Sequence, residues 1–136
     1  MQEIDIATVN FSGVEMKVSG TTVYFIGSIN HQRPAEFMEP FIQNVHDSIV
    51  RNQIREITVD ITGLRFLNSA GIRELVDWVM KMGSLPDDRK YNIQFVCNSE
   101  YKWQESSMST LIYLNSEHLS KVTIRKAVGQ HDNTTS

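Results

Sequence analysis

Apolar and polar residues alternate from Val14 to Val18, with Val14, Met16 and Val18 set against Glu15 and Lys17. A period of two marks a strand with one buried face. Ser19-Gly20-Thr21 reads as a turn, and Thr22 to Ile29 as a second strand antiparallel to the first. Gly27 inside that run predicts a bulge or a close backbone approach. The period then changes. Met38, Phe41, Ile42, Val45 and Ile49 recur at spacings of three and four after Pro34, the stripe of an amphipathic helix. Pro40 requires that helix to start after it or to bend there. Ile54 to Ile61 is the next strand.

A second helix opens at Asn68-Ser69-Ala70-Gly71 and buries Ile72, Leu75, Val76, Val79 and Met80, with Gly83 and Pro86 ending it. Tyr91 to Cys97 is a strand of the buried type, Trp103 to Leu114 a helix with Met108, Leu111 and Ile112 inward, and Leu119 to Ile124 a last strand. The order is ββαβαβαβ. Strands joined through single helices need crossovers, which are right-handed and usually join parallel strands. The fold class expected is therefore α/β: one domain over residues 1–127, with helices packed against a mixed, mostly parallel sheet. A polar tail, expected to be disordered, follows over residues 128–136.

Composition narrows the function without naming it. The 136 residues are 40% hydrophobic and 21% charged, with a formal net charge of −3. That is the balance of a globular domain. No dense Lys/Arg cluster marks a nucleic-acid surface. No apolar run reaches the length of a membrane span, and the N-terminus lacks the basic and apolar regions of a signal peptide. A cytoplasmic protein is expected. The single cysteine, Cys97, lies in an apolar run and reads as a buried structural thiol.

The segment Ile57-Thr-Val-Asp-Ile-Thr-Gly-Leu-Arg-Phe-Leu-Asn-Ser-Ala-Gly-Ile72 carries the most information. A strand ends near Ile61, a short loop follows, and one hydroxyl, Ser69, stands where a helix begins. Helix N-termini carry unpaired N–H groups and partial positive charge. Ser69 is there either an ordinary N-cap, worth about 0.5–2 kcal/mol against Ala, or a phosphorylation switch. The order of elements and the segment Val59 to Leu75 resemble a STAS domain, the module of anti-sigma factor antagonists and sulphate-transporter tails. That family's pattern is an apolar strand ending in Asp, a short loop, an apolar pair, then Asp-Ser-x-Gly and a Leu/Ile-rich helix. Gly27 in Phe25-Ile-Gly-Ser-Ile-Asn30 matches the glycine near the end of the family's second strand.

The resemblance implies a non-catalytic signalling module of bacterial transcription control. Its partner would be an anti-sigma factor that is also a serine kinase, and a phosphatase would reverse the modification. Phosphorylation would fall on Ser69. Asn30, Arg65, Asn68, Ser69, Ala70, Gly71 and Arg73 would belong to the partner surface, with a flexible loop between Ile61 and Ser69. Arg65 and Arg73, close to Ser69 in sequence, would screen the phosphate or mark the interface, or are simply solvated surface charges. Asn68 departs from the family's Asp. If the kinase uses that carboxylate to orient the hydroxyl, phosphorylation would be slow or absent; if the charge only orders the loop, Asn can substitute. Two other readings stand beside the switch: a nucleotide- or small-ligand-binding module, and a constitutive adaptor that is never phosphorylated.

Enzyme signals are weak. Ser69 lies on a strand-to-helix turn, but Leu67 stands where a nucleophile elbow needs its first Gly. There is no Walker loop, dinucleotide fingerprint or zinc motif, so no cofactor and no metal is implied. Asn30 and His31 read as a loop turn. His46 lies beside the apolar face of its helix and His118 in a polar connection, neither with metal-like spacing. Trp78 and Trp103 read as packing residues or rim anchors, Ser106 to Thr110 as helix-start caps, and Gly71 as a site of close helix–sheet packing.

Overall fold

Burial alternates along the longer strands, as the period of two requires. A computed structural model of the chain describes residues 3–126. The elements are β1 (Val9–Phe11), β2 (Val14–Ser19), β3 (Thr22–Ile29), α1 (Ala35–Arg51), β4 (Glu56–Asp60), β5 (Leu64–Leu67), α2 (Ser69–Gly83), β6 (Asn92–Asn98), α3 (Lys102–Leu114) and β7 (Leu119–Ile124). The polar tail expected over 128–136 lies outside the described residues.

The strands form one mixed sheet ordered β1-β2-β3-β4-β6-β7, with β5 also pairing β3. β1–β2 and β2–β3 are antiparallel, while β3–β4, β3–β5, β4–β6 and β6–β7 are parallel. The expected α/β class holds, but the sheet is mixed rather than mostly parallel. The order ββαβαβαβ missed β1 and β5, which are three and four residues long and too short to display a period. β4 takes the first half of β3, from Thr22 to Tyr24, and β5 takes the second, from Gly27 to Ile29.

One core holds the layers together. Val23, Phe25 and Ile29 of β3, Ile57 and Val59 of β4, and Ile93, Phe95 and Cys97 of β6 join the inward residues of all three helices in a single cluster. The helices therefore cover one face of the sheet. Burial pushes the Cys97 thiol up to about 11, which keeps it protonated and inert. α1 begins at Ala35, ahead of Pro40, so the proline stands inside the helix rather than before it. Pro40 is exposed and removes only one ladder bond, and the buried stripe Phe37, Met38, Phe41, Ile42, Val45 and Ile49 outweighs that loss.

Along α2 the sequence reading is corrected at one position. Met80, expected inward, is 58% exposed, and Trp78 and Met82 are buried in its place. Aligning the stripe on Leu75, Val79 and Met82 turns Met80 to solvent. Trp78 Nε1–H donates to the Tyr91 hydroxyl at 2.8 Å, and that hydroxyl lies 2.7 Å from His46 Nδ1. The Tyr91 hydroxyl thus bridges the indole of Trp78, from which it accepts, and the imidazole of His46. His46 is thus a buried member of the core, not a residue at its margin.

Gln104 of α3, fully buried, acts as a staple. Its carbonyl accepts from Asn98 N–H at 2.7 Å, and its amide donates to the carbonyls of Ile61 at 2.7 Å and Leu64 at 2.8 Å. Asn98 Nδ2 donates to Thr62 O, and Asp60 Oδ1 accepts from Thr62 N–H and Oγ1–H. The stretch after Ile61, expected to be a flexible loop, is a pinned turn running into β5. Gly27 fits its expected role. Its φ is +111°, and a Cβ there would collide with Gly13 O.

Two stability predictions follow from these networks. Gln104→Met, which keeps the volume, leaves the buried Asn98 N–H and Leu64 carbonyl without these partners and removes one of the two bonds accepted by the Ile61 carbonyl. At about 1–3 kcal/mol for each group, urea denaturation is expected to show a loss of several kcal/mol or failure to fold. Burial, then Lys81, lowers the His46 pKa from its ordinary value of 6.5, against Asp47. The unfolded chain then binds the proton more readily, so this contribution to stability is complete above pH 6.5 and declines as pH falls toward the depressed folded value. Thermal melts are expected to show a steeper loss between pH 7 and pH 5 for the wild type than for His46→Gln.

Candidate functional site

One end of the sheet gathers the β1–β2 turn, the β3–α1 connection, β5 and the start of α2. Asn68, not Ser69, is the N-cap of α2. Its backbone is extended, and its side-chain oxygen accepts from Gly71 N–H at 2.8 Å. This corrects the capping reading of Ser69. The amide of Asn68 also donates to His31 O at 2.8 Å. One carboxamide therefore closes the helix and ties it to the connection after β3. His31 Nε2 in turn lies 3.1 Å from Ser12 O, so that nitrogen carries the ring proton. The His31 ring packs against Phe37 and Phe11, with centroids 4.9 and 5.9 Å away. Asn30 and His31 thus belong to this end of the molecule, as the loop reading allowed. Ser12 and Gly13 complete the adjacent turn with φ of 45° and 86°.

Released from capping, Ser69 is exposed, and its hydroxyl bonds to no other group among the described residues. It lines an open groove of about 530 Å³ with Gln32, Arg33, Pro34, Ala70, Arg73 and Glu74. Arg33 pairs loosely with Glu36 at 3.7 Å, with both side chains mostly in solvent, so this guanidinium is free to move at little cost. Burial, with Asp77 and Glu39 adding to it, raises the Glu74 pKa, while Arg73 opposes the shift. The groove is mixed in charge: two arginines and two carboxylates border the hydroxyl.

The expected site residues do not all come together. Ser69, Ala70 and Arg73 share the groove. Asn68 and Gly71 are structural: the first caps, and a Cβ on the second would collide with Leu67 Cδ1, which explains the glycine as close packing. Arg65 lies elsewhere, lining a shallow depression with Glu15, Ile26 and Gly27, and its carbonyl accepts from Trp103 Nε1–H at 2.8 Å. Exposed Phe11 and Phe66 at this end escaped the sequence reading because an isolated aromatic in a short strand has no periodic context. Among the described residues no group of three His, Cys, Asp or Glu side chains is placed to hold a metal ion. No helix among them is long and apolar enough to cross a membrane.

This architecture, a mixed sheet with three helices on one face and a capped helix following the β4–β5 turn, is that of a single STAS-like domain. No family model matches the chain, and no curated protein matches it in sequence. Among solved structures it is similar to the crystal structure of the diguanylate cyclase SiaD in complex with its activator SiaC from Pseudomonas aeruginosa, the likeness being to SiaC. The identity is 12%, the TM-score 0.66, and the match covers 88% of this chain and 100% of that one. At that identity the likeness is one of fold.

The double role of Asn68 gives a prediction opposite to what the family pattern suggests. Asn68→Asp keeps the acceptor for Gly71 and favours the helix dipole, but it sets a carboxylate oxygen against the His31 carbonyl. Urea denaturation at neutral pH is expected to show a net loss on the order of 1 kcal/mol. The loss should shrink at acid pH, where a protonated carboxyl can donate to His31 O.

Proposed function

We propose that this protein is a non-catalytic signalling module that binds a partner through the end of the domain bearing Ser69, under control of phosphorylation at Ser69. The observation that carries the reading is the transfer of capping to Asn68, which leaves the Ser69 hydroxyl exposed and unbonded at a helix start. A structural serine would be expected to use its oxygen; this one does not. The surrounding backbone also tolerates a phosphate. Ser69 and Ala70 are first-turn residues whose N–H groups are not needed by the helix, and Arg33 and Arg73 border the groove.

A phosphate adds about −1.5 to −2 charges near pH 7. Within the domain it meets N–H groups and guanidinium ions, so folding changes little. A partner surface packed against the neutral hydroxyl would instead enclose a desolvated dianion. A loss of about 3 kcal/mol there weakens binding on the order of a hundredfold. Phe11 and Phe66, each nearly half exposed at the same end, are suitable apolar anchors for that partner.

The STAS resemblance points to an anti-sigma-type serine kinase as partner, with a phosphatase to reset the switch. The fold-level likeness to SiaC supports a second partner class, since that protein is an activator found in complex with a diguanylate cyclase. In this reading the phosphorylated and free forms of Ser69 would set whether a partner enzyme of that kind is engaged. Both readings need the same switch and differ only in what it binds.

The test is intact-mass spectrometry of the protein from its native cell, followed by affinity measurements with the partner captured on it. A phosphate adduct is expected that vanishes in Ser69→Ala. Ser69→Glu is expected to weaken partner binding by at least tenfold with an unchanged melting temperature. Absence of the adduct under every growth condition, with Ser69→Ala binding as the wild type, would overturn the switch in favour of a constitutive adaptor.

A further inference from the structure

Two of the seven large apolar side chains exposed among the described residues, Val122 and Ile124, lie on the face of β7 turned away from α3, since Leu119 enters the core and Lys121 reaches Glu105 of α3. Among the described residues β7 is the last strand of the sheet path and pairs with β6 alone. The opposite edge, β1, is three residues long, while β7 runs for six with no proline, glycine or bulge. Shortening, proline and bulges are among the usual protections of an edge strand, and β7 has none of them; its one charged residue, Lys121, pairs with Glu105 of α3 at 3.4 Å.

Its backbone direction can be read from its neighbours. His118 O accepts from Ile93 N–H and Ile124 O accepts from Ser99 N–H, so the even-numbered carbonyls face inward to β6 and its extension. Carbonyls alternate along a strand, so Lys121 and Thr123 turn both N–H and C=O to the open edge. From this we infer that β7 is a homodimer interface, pairing antiparallel with β7 of a second copy about a two-fold axis at Val122.

Charge selects that register. An axis at Lys121 would oppose two ammonium groups, and an axis at Thr123 would oppose Lys121 to the partner's Arg125; like charges directly opposite are unfavourable. The axis at Val122 avoids both. It sets Lys121 opposite the partner's Thr123, Ser120 opposite the partner's Ile124, and Val122 against its own copy. Axes at Ser120 or Ile124 also avoid like charges but pair fewer residues of the strand, so the axis at Val122 gives the self-complementary overlap that an isologous contact demands. It also brings the exposed Arg125–Lys126 end of one chain beside the exposed Glu117 of the other. Val96 pairs with Val122 across β6–β7, so an apolar row Val96–Val122 continues through the axis into the second copy. The edge lies away from the Ser69 groove, and the inference stands independently of the phosphorylation reading.

The test is sedimentation velocity of the full chain from micromolar to hundreds of micromolar, with oxidative crosslinking. A concentration-dependent dimer is expected, weakened at least tenfold by Val122→Lys with the circular dichroism spectrum and melting temperature retained. The paired Val122 positions would be a non-hydrogen-bonded antiparallel pair with Cα atoms about 4.5 Å apart, inside disulfide reach. Val122→Cys is therefore expected to form a covalent dimer, and Ser120→Cys to remain largely monomeric. The inference is overturned by a monomer at every concentration, by a dimer indifferent to Val122→Lys, or by Ser120→Cys crosslinking as well as Val122→Cys. Loss of a different protein's binding in Val122→Lys, with the chain itself monomeric, overturns it equally.

Discussion

Gln104 reaches from α3 under the turn that follows β4, and its carboxamide satisfies three backbone groups that lie too deep for water. Without it the Asn98 N–H and the Leu64 carbonyl would lose their partner in the core, a large penalty for a small domain, and the Ile61 carbonyl would keep only its bond from Leu64 N–H. With them satisfied, the chain can turn within the protein interior at Ile61 to Leu64 and enter β5 in register with the second half of β3. β5 ends at Leu67, and the position of Leu67 fixes Asn68 against His31. The location of Ser69 is thus set from α3, an element that neither precedes nor follows it in sequence.

Asn68 then separates two roles that a helix start often combines in one side chain. A serine at the N-cap would spend its oxygen on the helix, and modification would break the cap. Here the cap is one residue earlier, and it is an amide rather than a carboxylate because it must donate as well as accept. The substitution that looked like a weakened version of the family's Asp is explained by the His31 carbonyl. It leaves Ser69 exposed without asking the helix to depend on it.

The two long strands, the three helical stripes and the breakers Gly83 and Pro86 were legible because each repeats a period over several turns or residue pairs. β1 and β5 were not, since three or four residues cannot show one. Their pairing is decided by partners far along the chain: β2 for the first, β3 and Gln104 for the second. Trp78 was legible as a packing residue but not as a donor, because Tyr91 and His46 meet it only in the folded core. At the candidate site the motif grouped Ser69 with Arg65 and Arg73, of which only Arg73 shares its groove. It left the cap open, since Asn and Ser are near equals at that position and only the fold shows which is in the extended conformation.

The groove's mixed charge bears on how a switch at Ser69 would act. Glu74, already held toward its protonated form by burial and by Asp77 and Glu39, stands beside the hydroxyl with Arg73. A dianion placed there is attracted by two guanidinium groups and repelled by a carboxylate whose neighbours are also acidic. Arg33 is the adjustable member: its contact with Glu36 is long and solvent-exposed, so exchanging it for a phosphate costs little. The phosphate would then draw Arg33 toward the start of α2 and leave Glu36 unpaired on the surface. A partner would meet an altered charge pattern as well as a new group, while the core beneath, held by Gln104 and Asn68, need not move. That combination, a fixed framework under a changeable charge pattern, would let the proposed modification of a single hydroxyl alter association without altering the fold.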